Sequence, residues 1–407
     1  MALTNDQKTS LLAGLAALIG FSLPISTAFD NITVGLFLLV WLVTGDWRAR
    51  WRRLSDNPAS YAIGALLALA ALGMFWGAGN VKENIRYFEK YAGLILALAL
   101  FTLPLDRRMR QQALIGFATA ALLTAVVSFA FKLGLVPAVW FPTKSPTNPT
   151  VFKLHITHGF FVAIGAYIFL VNGLEATDPR WRAAFGVAAA ITAANVLVVE
   201  GRIGYLILAI LMIYLFVQHF RWRGVLASLV LIVVAISVAA QFPESAVMRR
   251  MTTAFEELHN WQRGEHDDLS STGTRLRFAT TSVLLIAEHP VLGVGTGGYE
   301  VAYRAAVPEG DLVSNNPHNQ YLLTTVQLGL PGLLVLLSLF VVLWRLSGGM
   351  SPSECLLARG FLLAYLVGNL FNSFLYDHAE TRFFALAVGL IFCGAEWKRS
   401  SDRIRNY

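Results

Sequence analysis

Apolar stretches recur along this chain until little room is left for anything else. A helix needs roughly 20 apolar residues to cross the hydrocarbon of a bilayer. Stretches near that length occupy residues 10–28, 31–45, 59–77, 89–104, 112–134, 157–173, 183–199, 203–218, 224–240, 319–344, 355–374 and 383–397. Inside a bilayer the backbone must satisfy its own hydrogen bonds, so this pattern predicts an all-α polytopic membrane protein of about 12 transmembrane helices. Only 14% of the 407 residues are charged, against about a quarter in a soluble domain, which excludes a soluble enzyme. The first stretch is long, lacks a cleavage signal and runs into further spans, so it reads as a retained helix rather than a signal peptide. Cys355 and Cys393 both lie in apolar runs and support neither a disulfide framework nor a thiolate metal site.

Twelve spans place both termini on one side, and basic residues choose which. Lys8, Arg48, Arg50, Arg52, Arg53, Arg107, Arg108, Arg110, Arg180, Arg182, Arg221, Arg223, Arg345, Lys398, Arg399, Arg403 and Arg405 fall in one set of loops. The opposite short loops hold only Lys82, Arg86, Lys90, Lys132, Lys144, Lys153, Arg202 and Arg382. The richer set is expected to be cytoplasmic. The formal charge of +7 therefore reflects topology and contact with anionic membrane lipids, at 48–53 and 107–110 above all, and not nucleic acid. The chain divides into spans one to nine (1–240), a long extracytoplasmic segment (241–318), and the last three spans with a cytoplasmic tail (319–407).

The long segment is where function should concentrate. Val247, Met251, Ala254, Leu258 and Trp261, then Leu276, Thr280, Val283, Leu284 and Ala287, recur at three and four residues and predict two amphipathic helices. Ser270, Ser271 and Thr272 are candidate caps for the second, and Pro290 ends it before the turn Gly293–Gly298. That turn follows no strand and lacks the lysine of a phosphate loop, so it is not a nucleotide cradle. His155 and His158 have metal-compatible spacing but no third partner and read as an interfacial pair. Asp267 and Asp268 could coordinate a divalent ion but fit a solvated loop better. No metal or other cofactor is expected, and no internal repeat is present.

Four residues on this side could carry chemistry. Arg202 stands in a turn of a few residues between two spans, where a guanidinium is costly unless it meets an anion or water. The alternative is an arginine at the headgroups or paired with Glu200. Arg275 and Arg277 stand in the first turn of the second amphipathic helix, where cations oppose the helix dipole but can share an anion with the backbone amides. For Arg277 a solvated polar face is the preferred reading. His318 begins span ten, can accept a proton near neutral pH, and is followed by Asn319, Gln320 and Tyr321, suited to orienting it or a sugar hydroxyl; on these residues alone an interfacial histidine is the preferred reading.

Thr274-Arg275-Leu276 set fifteen residues before Pro290, the run His289-Pro290-Val291-Leu292-Gly293-Val294-Gly295, and Pro317-His318-Asn319-Gln320-Tyr321 followed by Gly329-Leu330-Pro331-Gly332 resemble the O-antigen ligase and polymerase superfamily of bacterial membrane glycan transferases. The resemblance departs at Phe278, many relatives carrying a tryptophan one position further along. It implies a GT-C-like architecture in the bacterial inner membrane and a metal-independent, inverting transfer at the periplasmic face. The donor it implies is a glycan on undecaprenyl diphosphate, and the acceptor is lipid A-core oligosaccharide. It assigns Arg202 and Arg275 to the diphosphate and His318 to the acceptor proton. Lys82 and Arg86 are candidates for holding acceptor phosphates. An O-antigen polymerase or protein O-oligosaccharyltransferase would use the same donor. A lipid-linked glycan transporter is the alternative of another class, disfavoured by the missing half-repeat.

Overall fold

A computed structural model describes residues 4–241, 246–263 and 270–394, and these contain helices but no β-strand. Helices α1 (Asn5–Ile25) and α2 (Thr27–Thr44) are joined by Ser26, whose hydroxyl caps α2 by accepting from the Phe29 amide. A short basic helix, α3 (Trp47–Asp56), leads into α4 (Pro58–Gly73), then α5 (Val81–Ala92) and α6 (Ile95–Phe101). The long α7 (Arg107–Lys132) precedes α8 (His155–Glu175), α9 (Pro179–Val198), α10 (Arg202–Phe220) and α11 (Trp222–Ala240). The segment that follows carries α12 (Ala246–Gln262), α13 (Ser271–Glu288) and α14 (Tyr299–Ala306), and the chain closes with α15 (Gln320–Ser347), α16 (Pro352–Phe371) and α17 (His378–Ile391).

Eight of these helices, α1, α2, α7, α8, α9, α10, α15 and α16, are long and apolar enough to cross a membrane. The apolar α4 is shorter, and α11 and α17 occupy the ninth and twelfth apolar stretches. The fourth expected span is the one the structure corrects. Residues 89–104 are not one helix, because α5 ends at Ala92 and α6 restarts at Ile95. Gly93 lies in the break, where an added Cβ would stand 3.2 Å from the Thr381 methyl, so close packing against α17 fixes a glycine at this point. Helix α5 itself is amphipathic, with Asn84, Tyr87 and Tyr91 buried and Lys82 and Arg86 exposed.

An aromatic cluster fills the bundle. Phe117 stacks on Phe383 with centroids 3.9 Å apart, while Phe160, Phe161, Tyr365, Phe374 and Phe384 surround the pair. Polar side chains within it form a bonded group, although His158 Nδ1 and Asn369 Nδ2 have no partner. Asn195 bridges His158 (2.8 Å) and Ser128 (2.8 Å), tying α9 to α8 and α7. His158 is therefore a core residue and not half of an interfacial pair.

Loop contacts sort the connections onto two ends. At one, Arg107 pairs with Glu175 and bonds Ser353, Arg110 pairs with Glu354, and Asn57 donates to the Phe392 carbonyl. At the other, Arg382 pairs with Asp30, Lys153 donates to Thr27, and Tyr87 donates to the Asn315 carbonyl.

The segment after α13 is anchored in the bundle by its glycines. Gly293, Gly295 and Gly297 all have positive φ, and the amides of Val294, Gly295 and Thr296 donate to Val326, Gln327 and Gly73 at 2.8–2.9 Å. The turn is thus a wedge between α4 and α15. Helix α15 accommodates it with a kink at Gly329 (φ 66°), where the Leu330 amide bonds back to the Pro290 carbonyl at 2.8 Å. Around the wedge Tyr87, Phe278, Leu285, Tyr299, Tyr303 and Leu323 make a second small core.

Candidate active site

Helix α13 begins where the sequence suggests. Ser270 is its cap, its hydroxyl accepting from the Gly273 amide at 3.0 Å. This start sets Arg275 at the fifth helical position, half-buried and one turn further in than the first-turn placement expected from the sequence. Among the described residues Arg275 makes no ion pair. Burial and the neighbouring charge of Arg202 lower its pKa from the ordinary value, with Glu257 opposing them. A half-buried guanidinium whose charge is disfavoured by burial and by a neighbouring arginine forms a locus that an anion would relieve.

Arg202 opens α10. Its guanidinium donates to Glu257 Oε2 at 3.2–3.3 Å and to the Thr272 hydroxyl at 3.1 Å, and Thr272 also donates to Glu257. Burial raises the Glu257 pKa, but the Thr272 bond and Arg202 outweigh it and hold the carboxyl below its usual range. Glu200 does not pair with Arg202, as the sequence allowed, because Arg249 and Arg250 from α12 claim both of its oxygens. Arg250, Tyr205, Leu206, Met251 and Phe255 line, with Arg202, a largely apolar cavity of about 430 Å³ between α10 and α12.

His318 stands just before α15 with φ 53°, in the left-handed region that non-glycine residues rarely adopt. Its amide donates to Asn316 Oδ1 at 2.9 Å, an oxygen that also accepts from Ser373, and this pair of bonds holds the conformation. The ring lies 6.2 Å from the Phe278 ring, the two nearly parallel. Nδ1 is 3.1 Å from Asn372 Oδ1, and Asn372 Nδ2 donates to Asp377 at 3.0 Å. With the Asn372 oxygen facing the ring, the protonated nitrogen would be Nδ1 and Nε2 would keep its lone pair. Burial lowers the His318 pKa, the Asn372 bond raises it, and Arg275 lowers it further, for a net downward shift. Asp377 is pushed up to about 8 by burial and by Glu380, against Lys90 and the Asn372 bond.

The structure thus brings Arg202, Arg275 and His318 to one end of the bundle. Four weaker candidates have other engagements. Arg277 is not a solvated arginine but an ion-pair partner of Asp311. Asn319 caps α15 through the Leu322 amide and donates to the Leu370 carbonyl. Gln320 is buried between Thr324 and the Leu375 amide, and Tyr321 donates to the Leu366 carbonyl. These bonds build the wall behind His318. Lys82 and Arg86 sit on the exposed face of α5, Asp267 and Asp268 lie outside the described residues, and among the latter no three metal-ligating side chains cluster.

Sequence reasoning missed Glu257, Asn372 and Asp377. Asn372 and Asp377 fall between the last two spans, where Asn369, Asn372, Asp377, His378 and Glu380 interrupt an otherwise apolar region. That concentration of polar residues was the available signal.

Residues 187–337 match the family model described as O-antigen ligase. The match starts in α9, takes in Arg202, Glu257, Arg275 and His318, and ends within α15. A Haemophilus influenzae protein described as uncharacterized is 20% identical over 326 residues, 75% of this chain and 79% of that relative. Over 187–337, which contains the arginine and histidine positions just described, the chain is similar to the O-antigen ligase family.

Proposed function

We propose that this protein transfers a glycan from undecaprenyl diphosphate to a sugar hydroxyl of lipid A-core oligosaccharide, at the periplasmic face of the bacterial inner membrane. The observation that carries the reading is Arg275, a half-buried guanidinium without an ion-pair partner among the described residues, beside both Arg202 and His318. A diphosphate would supply the missing negative charge, and the apolar cavity ending at Arg202 suits the first isoprene units of its lipid. The two arginines would stabilise charge growing on the leaving diphosphate, the largest electrostatic demand of the reaction.

His318 Nε2 takes the proton of the acceptor hydroxyl as its oxygen attacks the anomeric carbon. The new glycosidic bond forms as the bond to the diphosphate breaks, undecaprenyl diphosphate leaves, and the configuration inverts in one displacement. The downward pKa shift supports this role, since a neutral imidazole is the competent base. The basic residues of the loops around Arg107 and Arg110 support a cytoplasmic location for the opposite end of the bundle. An O-antigen polymerase or protein O-oligosaccharyltransferase would share donor and geometry and differ in acceptor.

The test of the carrying observation is donor binding to the solubilised full-length protein. Undecaprenyl diphosphate is expected to bind and uncharged undecaprenol not, with Arg275→Gln weakening the former by at least about tenfold, the loss of a charge-assisted contact. Equal binding by the variant would remove Arg275 from the donor site.

A further inference from the structure

A second cavity, of about 470 Å³, lies between α2, the α5–α6 break and the start of α17. Its lining has an apolar part, with Val34, Leu38 and Ile95, and a charged rim, with Lys90, Arg382 and Glu89. Beneath the rim Asp30 is 1% exposed. One of its oxygens accepts from Arg382 at 2.6 Å and the other has no hydrogen-bond partner. That contact uses one of the five donors of the guanidinium, so Arg382 retains capacity for a second anion. Lys90 Nζ lies 5.6 Å over the Tyr376 ring and pairs with no carboxylate among the described residues.

Lys82, Arg86 and Lys90 are spaced four apart on α5 and form one stripe along it. Lys82 and Arg86 are exposed, so the stripe descends from solvent to the cavity rim. Tyr376 and Asp377 connect the rim to Asn372 and His318. Apolar in one part, cationic at the rim and continued by exposed cations, the cavity has the chemistry of an anionic glycolipid standing in a membrane.

We propose that this second cavity holds the phosphorylated glycolipid acceptor, with acyl chains on the apolar part of its lining and a phosphate on Lys90 and Arg382. The assignment rests on the transferase reading above, and it answers a requirement of that reading. Two lipid-anchored substrates must keep separate tails in the bilayer while their heads meet. Here Arg275 feels the charge of Arg202 at the first cavity and lowers the pKa of His318, which bonds through Asn372 to Asp377, the neighbour in sequence of His378 in the lining of this one. The acceptor phosphate is a recognition element, and Lys82 and Arg86 hold further negative charge on the sugar head.

The experiment measures binding of lipid A, its dephosphorylated form and phosphatidylglycerol to solubilised full-length protein by native mass spectrometry. The variants are Lys90→Gln and, as a charge-conserving control, Lys90→Arg. Lipid A should bind about tenfold tighter than either comparison lipid, Lys90→Gln should erase the difference, and Lys90→Arg should keep it. Equal binding of phosphatidylglycerol would reduce the cavity to a general anionic-lipid site and overturn the proposal, as would equal binding of the dephosphorylated form or no effect of Lys90→Gln. In transfer assays Lys90→Gln should raise the acceptor KM about tenfold and leave the donor KM unchanged; a matching rise in donor KM would overturn it too. Absence of transfer by the wild type would overturn the transferase reading, while the binding measurements would still decide whether the cavity recognises the phosphorylated glycolipid.

Discussion

At the scale of single residues, the imidazole of His318 is set by burial, which lowers its pKa, and by two neighbours acting in opposite directions. Its pKa lies below the ordinary 6.5, so the neutral base persists to lower pH and the acid limb of kcat/KM should fall below pH 6.5. Removing Arg275 as Arg275→Gln deletes a lowering charge, and the limb of the residual activity should move to higher pH. Asn372→Leu deletes the raising bond, and the limb should move lower while kcat falls about a hundredfold, the scale of misplacing a general base. Identical pH profiles in all three proteins would contradict the placement of His318 between these groups. Glu257 occupies Arg202 through a carboxylate, the kind of group a diphosphate replaces. Glu257→Gln should therefore lower the donor KM severalfold, read from initial rates against donor concentration; an unchanged KM would mean that Glu257 does not compete with the donor.

The helices explain both what the sequence foretold and what it did not. The amphipathic periods of the long segment correspond to α12 and α13, and Ser270, one of three hydroxyl residues considered, is the cap. Both signals are local, within one turn or one helix face. The break at Gly93 is not local, because it depends on Thr381, almost three hundred residues away. Asn372 and Asp377 escaped for the same reason, since their meaning comes from His318 on another helix. Gly293–Gly298 reads in sequence as a tight turn, and its role as a wedge depends on α4 and α15. At Gly329 (φ 66°) a Cβ would collide with the Val291 carbonyl. Gly329→Ala should therefore cost at least about 1–3 kcal/mol from backbone strain alone. Gly64, in open space on α4, is the control, and Gly64→Ala should be neutral or stabilising. Melting temperatures in detergent separate the two, and equal values would show that the wedge does not depend on Gly329.

Across the whole molecule, two cavities flank the end of the bundle that holds Arg202, Arg275 and His318, an arrangement that fits the proposed joining of two membrane-anchored substrates. On that proposal the arginines would take the charge of one substrate and His318 the proton of the other, so the central claim concerns a transfer rather than a passage across the bilayer. A chelator should leave that transfer unaffected, because the charge-stabilising groups are guanidiniums; inhibition reversed by one divalent ion would redirect attention to Asp267 and Asp268. The most direct measurement incubates purified protein with undecaprenyl-diphosphate glycan and lipid A-core, without nucleotide or added metal, and follows glycan length and attachment on a gel beside His318→Ala. Glycan on lipid A-core with the wild type, and none with the variant, is the predicted result. Lengthening of the donor glycan alone, or transfer by His318→Ala at the wild-type rate, would contradict it.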